Sequence, residues 1–324
     1  MRKKLLSCTD LVVSAICLGT VNYGTNLQTS DSHRQLSQFV EAGGNFIDTA
    51  HVYGDWEPDI KGRSERVIGE WMLQNGMREN IILATKGAHP LLDSMHISRL
   101  RPQDIERDLS ESLEYLCTDY IDLYFLHRDD PSIPVDEIID YLEEQVVSGR
   151  IKYYGASNWR LDRLNEAHTY AKGKNFQGFV CNQLMWSLAG ANNNKLPDKT
   201  MVAMDTATYK YHSEIKINVM AYMALAKGYF SQRQAMNKLP KEVEDIYSSK
   251  KNNHIFDELT NLSNQTGLSV TDLSLLFFEG HPFLSIPIAS FDTEQQLQAG
   301  INFADLDVDN SIVEHLRSIW SSFQ

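Results

Sequence analysis

Ile121-Asp122-Leu123-Tyr124-Phe125-Leu126 is too uniformly apolar for a strand with one wet face, so it reads as a strand buried on both sides. Val135, Ile138, Ile139, Leu142 and Val146 follow at helical spacing, with a stop at Gly149 and a second short strand at Tyr153-Tyr154-Gly155. Strand, helix and strand make one parallel unit, and the alternation extends in both directions. Ile16-Cys17-Leu18-Gly19, Asn45-Phe46-Ile47 and Ile81-Ile82-Leu83-Ala84 precede it, while Phe179-Val180-Cys181, Ile217 to Tyr222 and Phe283 to Ile288 follow. Between the early strands lie a helical stretch from Ser32 to Ala42 and one opened by Ser64 as N-cap that buries Val67, Ile68, Trp71 and Met72. A third carries Ile105, Leu109, Leu113 and Leu116 on one face. Eight short buried strands, most followed by a helix, predict a (β/α)8 TIM barrel occupying residues 1–324 as one domain, with a short N-terminal hairpin and a C-terminal helix.

Composition narrows the function. The 324 residues hold 30 Lys+Arg against 43 Asp+Glu, a net charge of −13 with no basic cluster, which excludes a nucleic-acid binder. With 42% hydrophobic residues the chain has ample core material, so global disorder is excluded. The longest apolar stretch, Leu11 to Gly19, is far short of the roughly 20 residues of a membrane helix. Four scattered cysteines (Cys8, Cys17, Cys117, Cys181) read as free thiols in a reducing, cytoplasmic setting. Before Cys8, only Leu5 and Leu6 stand where a signal peptide needs roughly 7–15 apolar residues.

In such a barrel the chemistry sits at the C-terminal ends of the strands. Asp48 ends the second barrel strand and Tyr53 follows in its loop; Lys86 ends the third and His127 the fourth. Each alone reads as an ordinary turn, rim or snorkelling residue, but four at consecutive strand ends converge on one face. A phenol titrates near ~10, and a neighbouring ammonium lowers it, which would make Tyr53 a general acid with Lys86 as its activator. Asp48 would keep Lys86 charged, and His127, as neutral imidazole, would orient a carbonyl oxygen. No side chain donates hydride, so a nicotinamide cofactor is implied.

Leu18-Gly19-Thr20, Phe46-Ile47-Asp48-Thr49-Ala50-His51-Val52-Tyr53-Gly54, Ala84-Thr85-Lys86, Asp122 to His127 and Gly155-Ala156-Ser157-Asn158-Trp159 resemble the aldo-keto reductase family, over nearly the whole chain. The resemblance makes Asp48, Tyr53, Lys86 and His127 the catalytic tetrad, with Tyr53 as proton donor. It places Ser157, Asn158 and Gln183 around the nicotinamide carboxamide and Tyr222 against the ring. Gly19, Thr20 and Leu225 fall at cofactor-binding positions. The family holds its cofactor without a dinucleotide-binding domain, and the chain has no Gly-x-Gly-x-x-Gly.

The adenosine end departs from the family pattern. Met223-Ala224-Leu225 replaces Ser-Pro-Leu after Tyr222, Gln296 stands where an Arg is usual, and Ala299-Gly300 stands for Glu-Asn. No Lys or Arg occurs from Asn252 to Leu316, although a 2′-phosphate ordinarily wants one. NADP(H) follows from the resemblance. NAD(H), selected by Asp292 or Glu294, is the alternative, and a third reading brings the phosphate to the basic segment Lys227 to Lys251, with Arg233, Lys238 and Lys241. Trp56, Asp129 and Trp159, with His89, Arg128 and Asp130 nearby, point to a polar or sugar-like small-molecule carbonyl substrate. The competing reading makes His127-Arg128-Asp129-Asp130-Pro131 a solvated or mutually salt-bridged loop. A glycoside hydrolase leaves Lys86 and His127 unexplained. No metal is expected, since there is no His-x-His and Lys86 would repel a cation. A non-catalytic nicotinamide-nucleotide-binding subunit that senses redox state is the functional alternative.

Overall fold

Alternation of inward and outward side chains along each short strand determines what the barrel presents at its mouth. In the computed structural model, which describes residues 1–236 and 238–322, β1 (Lys3–Leu5) and β2 (Val12–Ser14) pair as the antiparallel N-terminal hairpin. Eight parallel strands then close a barrel. They are β3 (Cys17–Gly19), β4 (Phe46–Asp48), β5 (Ile82–Gly87), β6 (Ile121–Leu126), β7 (Ile151–Ser157), β8 (Cys181–Met185), β9 (Asn218–Tyr222) and β10 (Ser285–Ala289), and β10 pairs back onto β3. Helices lie between the strands, and the C-terminal helix Asn310–Ser321 packs through Val313, Leu316, Ile319 and Trp320.

Inside the barrel, Cys17, Phe46, Ala84, Leu123, Phe125, Cys181, Met220, Ile286 and Ile288 form one apolar plug, closed below by Leu6, Leu11 and Val13 of the hairpin region. Asp48 lies two residues beyond Phe46, Lys86 two beyond Ala84, and His127 two beyond Phe125. The two-residue period therefore stacks all three polar side chains directly above the plug. Gly155 accommodates this layer, because a Cβ there would come 2.5 Å from the Phe125 ring.

Two expectations need correction. Ser64 is not an N-cap, since the helix Arg63–Asn75 starts after a left-handed Gly62. The Ser64 hydroxyl instead donates to the Thr20 carbonyl (2.9 Å) and contacts the hydroxyls of Thr20 and Thr49 at 2.9 Å each. It ties three elements beneath the mouth. The strand expected at Phe179 begins at Cys181 and runs to Met185. Phe179 lies before it, packed edge-on against Tyr154 and Trp159.

Candidate active site

Lys86 is the centre of the site. It is 1% exposed, and its ammonium donates to Asp48 Oδ2 at 2.7 Å, to the Thr49 carbonyl at 2.6 Å and to Tyr53 Oη at 3.2 Å. An ammonium has three donors and no acceptor, so all three are used. Burial works against the charge, but the attraction of Asp48 and Tyr53 outweighs it and lifts the Lys86 pKa above the ordinary lysine value. Because Lys86 can only donate, Tyr53 oxygen is the acceptor of that bond, which leaves the phenolic hydrogen free to point elsewhere.

The anticipated lowering of the Tyr53 pKa is corrected in sign. Burial raises the phenol most, and Lys86 pulls it down without overcoming that rise. Tyr53 thus rests as a protonated acid, which is the form a proton donor needs. His127 is held below the ordinary histidine range by burial first, then by Arg128, His89 and Lys86, so it is a neutral imidazole. Its ring meets Tyr53 edge-on at 6.0 Å and His89 at 4.8 Å. His127 Nδ1 is buried with no protein partner.

His89, counted from the sequence among the residues on the substrate side, is buried beside His127. Its Nδ1 bonds the Pro90 carbonyl at 2.6 Å, and its pKa is lowered to about 4, mainly by burial and then by Arg128. A second neutral imidazole therefore lines the wall beside His127.

Of the residues expected at the cofactor, Ser157, Gln183 and Tyr222 stand on the neighbouring strands β7, β8 and β9 with Asn158 just past β7, whereas Gly19 ends β3 and Thr20 follows it. Asn158 has a left-handed backbone (φ 60°), and its Nδ2 donates to Ser157 Oγ at 3.0 Å and to the His127 carbonyl at 3.3 Å. Its Oδ1 accepts from Tyr222 Oη at 2.6 Å. Gln183 donates to Asp48 Oδ1 at 2.8 Å, linking this group to the tetrad. Thr20 is fully buried and donates to the Asp48 carbonyl, so its hydroxyl is a structural tie. Gly19 has no room for a Cβ, which would sit 2.7 Å from Ser290 Oγ. Leu225 is half-buried in a turn where Met223, Ala226 and Lys227 all carry positive φ. The side-chain amides and hydroxyls beside Tyr222 fit a nicotinamide, whose carboxamide needs both donors and acceptors.

The adenosine end is built differently. Asp292 accepts from Asn22 Nδ2 at 2.9 Å and Glu294 from Gln38 Nε2 at 2.7 Å, so both acids already hold a partner. Gln296 accepts from the Asp292 backbone at 2.8 Å. In the basic segment, Lys227 is paired with Glu242, and Arg233 is bonded to Tyr229 and Asn253.

On the substrate side the structure corrects two expectations. Trp159 is 1% exposed, packed on Phe179 with Arg163 over its ring. Asp129 is paired with Arg163 at 3.3 Å, and Arg128 with Asp198 at 2.7 Å. The loop is salt-bridged, but to Arg163 and Asp198 on other elements and not within itself, which corrects the mutually bridged reading. Trp56 alone of the three stays exposed. With it, Ile60 in the same loop and Leu91, Leu92, Met95 and Ile97 in the loop after β5 are exposed, giving the strand-end face around Tyr53 and Lys86 an apolar rim.

The aldo/keto reductase family model matches residues 15–321, and the chain belongs to this family. It is 30% identical over 329 residues to an uncharacterized oxidoreductase, YrpG, of Bacillus subtilis, covering 99% of this chain and 96% of that protein. It is 24% identical to norsolorinic acid reductase B of Dothistroma septosporum, covering 98% and 81% respectively. Among solved structures, the holo form of aldo-keto reductase AKR11C1 from Bacillus halodurans superimposes with a TM-score of 0.73 at 23% identity, covering 98% of this chain and 96% of that one. The family is one of oxidoreductases that generally use nicotinamide nucleotides. Among the described residues no helix is long and apolar enough to cross a membrane.

Proposed function

We propose that this chain interconverts an aldehyde or ketone and its alcohol, with Asp48, Tyr53, Lys86 and His127 as the catalytic set. The observation that carries the reading is the saturated Lys86 ammonium, which uses Tyr53 oxygen as an acceptor and leaves the phenolic proton for a substrate. When bound, a nicotinamide nucleotide exchanges hydride with the substrate carbon. Ser157, Asn158, Gln183 and Tyr222 are the residues that would hold its nicotinamide half. In the reducing direction, Tyr53 gives its proton to the carbonyl oxygen, and Lys86 stabilises the phenolate left behind. Asp48 keeps Lys86 charged, and neutral His127 orients the oxygen. In the oxidising direction the same phenolate takes the alcohol proton.

The apolar rim and the engaged Asp129 and Trp159 favour a carbonyl on an apolar body over the sugar-like substrate expected from composition of the loops. The relatives named norsolorinic acid reductases support a carbonyl substrate in general terms. Between the nucleotides, the lack of any Lys or Arg from Asn252 to Leu316, with Gln296 where an Arg is usual, favours NADH over NADPH. The free cysteines support a cytoplasmic setting.

The test follows nucleotide absorbance with a panel of aromatic, aliphatic and sugar carbonyls, using NADH and NADPH. Turnover of at least one carbonyl is expected, fastest with an apolar one. Tight nucleotide binding with no turnover on any carbonyl would replace the enzyme with the redox-sensing subunit.

A further inference from the structure

Back to back with the tetrad, on the outer face of the barrel wall, lies a second charged cluster. Along β5 the side chains alternate, so Lys86 points inward while Thr85 points outward and donates to Glu65 Oε1 at 2.5 Å. Glu65 is fully buried, and its Oε2 has no partner. Asp108, also fully buried, is held by Arg99 and accepts from the Ala88 backbone at 2.8 Å. Between these acids sits His51. Its Nε2 bonds Glu111 at 2.7 Å, its Nδ1 lies 4.0 Å from Asp108, and its ring stacks on Tyr115 at 5.9 Å. The charged groups facing it are Glu65 from the helix Arg63–Asn75 and Asp108 and Glu111 from the helix Pro102–Tyr115. Arg99 neutralises Asp108 from the loop before that helix.

Three carboxylates face two guanidiniums, Arg99 on Asp108 and Arg66 over the Tyr115 ring, and the excess of negative charge is what a protonated imidazole would offset. His51 is also mechanically placed to matter. It lies two residues before Tyr53, and its own backbone N–H donates to the Lys86 carbonyl at 2.9 Å. The loop carrying the proton donor is thereby fastened at one point to both the strand that carries Lys86 and the helix Pro102–Tyr115.

We propose that His51 is a positioning residue: as an imidazolium bridging Glu111 and Asp108, it fixes the Tyr53 loop so that Tyr53 stays within reach of Lys86. Loss of its proton moves Tyr53 off this position, and loss of the Glu111 charge makes that proton easier to lose. Misplacement on the 1 Å scale is enough to cost about 100-fold in rate. Burial works against the charged ring, but Glu65, Asp108 and Glu111 together raise its pKa above the ordinary histidine value. The alkaline limb of kcat therefore lies above pH 6.5.

The proposal rests on the reductase reading for its kinetic arm only. Carbon-detected NMR of the histidine and tyrosine rings in the full-length protein gives the step of His51 and any coupled shift of Tyr53 without turnover. In parallel, kcat is followed against pH for wild type, Glu111→Gln and His51→Asn. Glu111 is half-exposed, so Glu111→Gln keeps the test open should His51→Asn fail to fold. The Tyr53 resonance and kcat are expected to move in the same step as His51. All three shift to lower pH in Glu111→Gln, with the nucleotide KM unchanged. His51→Asn lowers kcat about 10-fold or more and removes the step. A Tyr53 resonance silent at the His51 step, or a profile unmoved by Glu111→Gln, overturns the proposal. Coincident ring steps in a protein that turns over no carbonyl would uphold it and overturn the reductase reading.

Discussion

The half of the site proposed to face the nicotinamide and the end proposed to face the adenosine are built on opposite terms. In the first, most polar groups are buried and fixed by another, Asp48 by Lys86 and Gln183 and Asn158 by Tyr222 and Ser157, while His127 Nδ1 has no protein partner. In the second, exposed Asp292, Glu294 and Gln296 bond to Asn22, Gln38 and each other across a wet surface. A desolvated array multiplies the effect of each charge, so a single change there alters the chemistry. At the wet end the same change adjusts affinity alone, and this is where the chain departs from the family pattern.

Substitutions should reproduce that contrast. The largest effect is expected from Tyr53→Phe, which removes the proton donor and should lower kcat for carbonyl reduction by about 10³-fold. Nucleotide affinity, followed by fluorescence titration, should stay unchanged, and retained turnover would dismantle the contrast. Asp48→Asn leaves the Lys86 charge buried without its counter-ion, a change that costs about 3–5 kcal/mol when a buried pair is broken. Thermal unfolding should show it as a large fall in Tm.

Acid should strike the dry half next. His89 and His212 both have pKa values lowered to about 4, chiefly by burial. As pH falls below 6.5 the unfolded chain takes up protons that the folded one refuses. Their stabilisation is therefore intact above pH 6.5 and lost as pH falls towards about 4. Each contributes about 1.4 kcal/mol per pH unit in that window, and His89→Gln should flatten the acid limb of Tm against pH. The smallest effect belongs to the wet end. Gln296→Arg should shift preference towards NADPH by about 10-fold in Kd while leaving kcat untouched; a change in kcat would join the two halves.

How far the chain could be read ahead of its structure follows the same division. β6 was legible to the residue because Ile121–Leu126 is an apolar run broken only by Asp122, which Arg78 and Lys152 pair. β8 was misplaced because Asn182 and Gln183 break the apolar run, and their reason for being buried, His212 and Asp48, lies 30 and 135 residues away in sequence. The tetrad was visible because strand ends and two-residue alternation are local properties. Trp159 and Asp129 misled because their shared partner, Arg163, decides their burial, and no local pattern announces it. The Glu65–His51–Asp108 cluster was missed for a related reason. His51 stood in plain view between Asp48 and Tyr53, but its partners lie on two helices, Glu65 on Arg63–Asn75 and Asp108 and Glu111 on Pro102–Tyr115.

The closing seam between β3 and β10 has a consequence for how the molecule is made. Its partners, Cys17 and Ile288, are separated by about 270 residues of chain. At 5–20 residues per second, an emerging β3 waits on the order of tens of seconds for the strand that completes its hydrogen bonds. During synthesis one side of β3 is thus an open sheet edge, the kind of surface that recruits other chains. Yield of folded protein should therefore depend on translation speed and chaperone supply more than its well-filled interior would suggest.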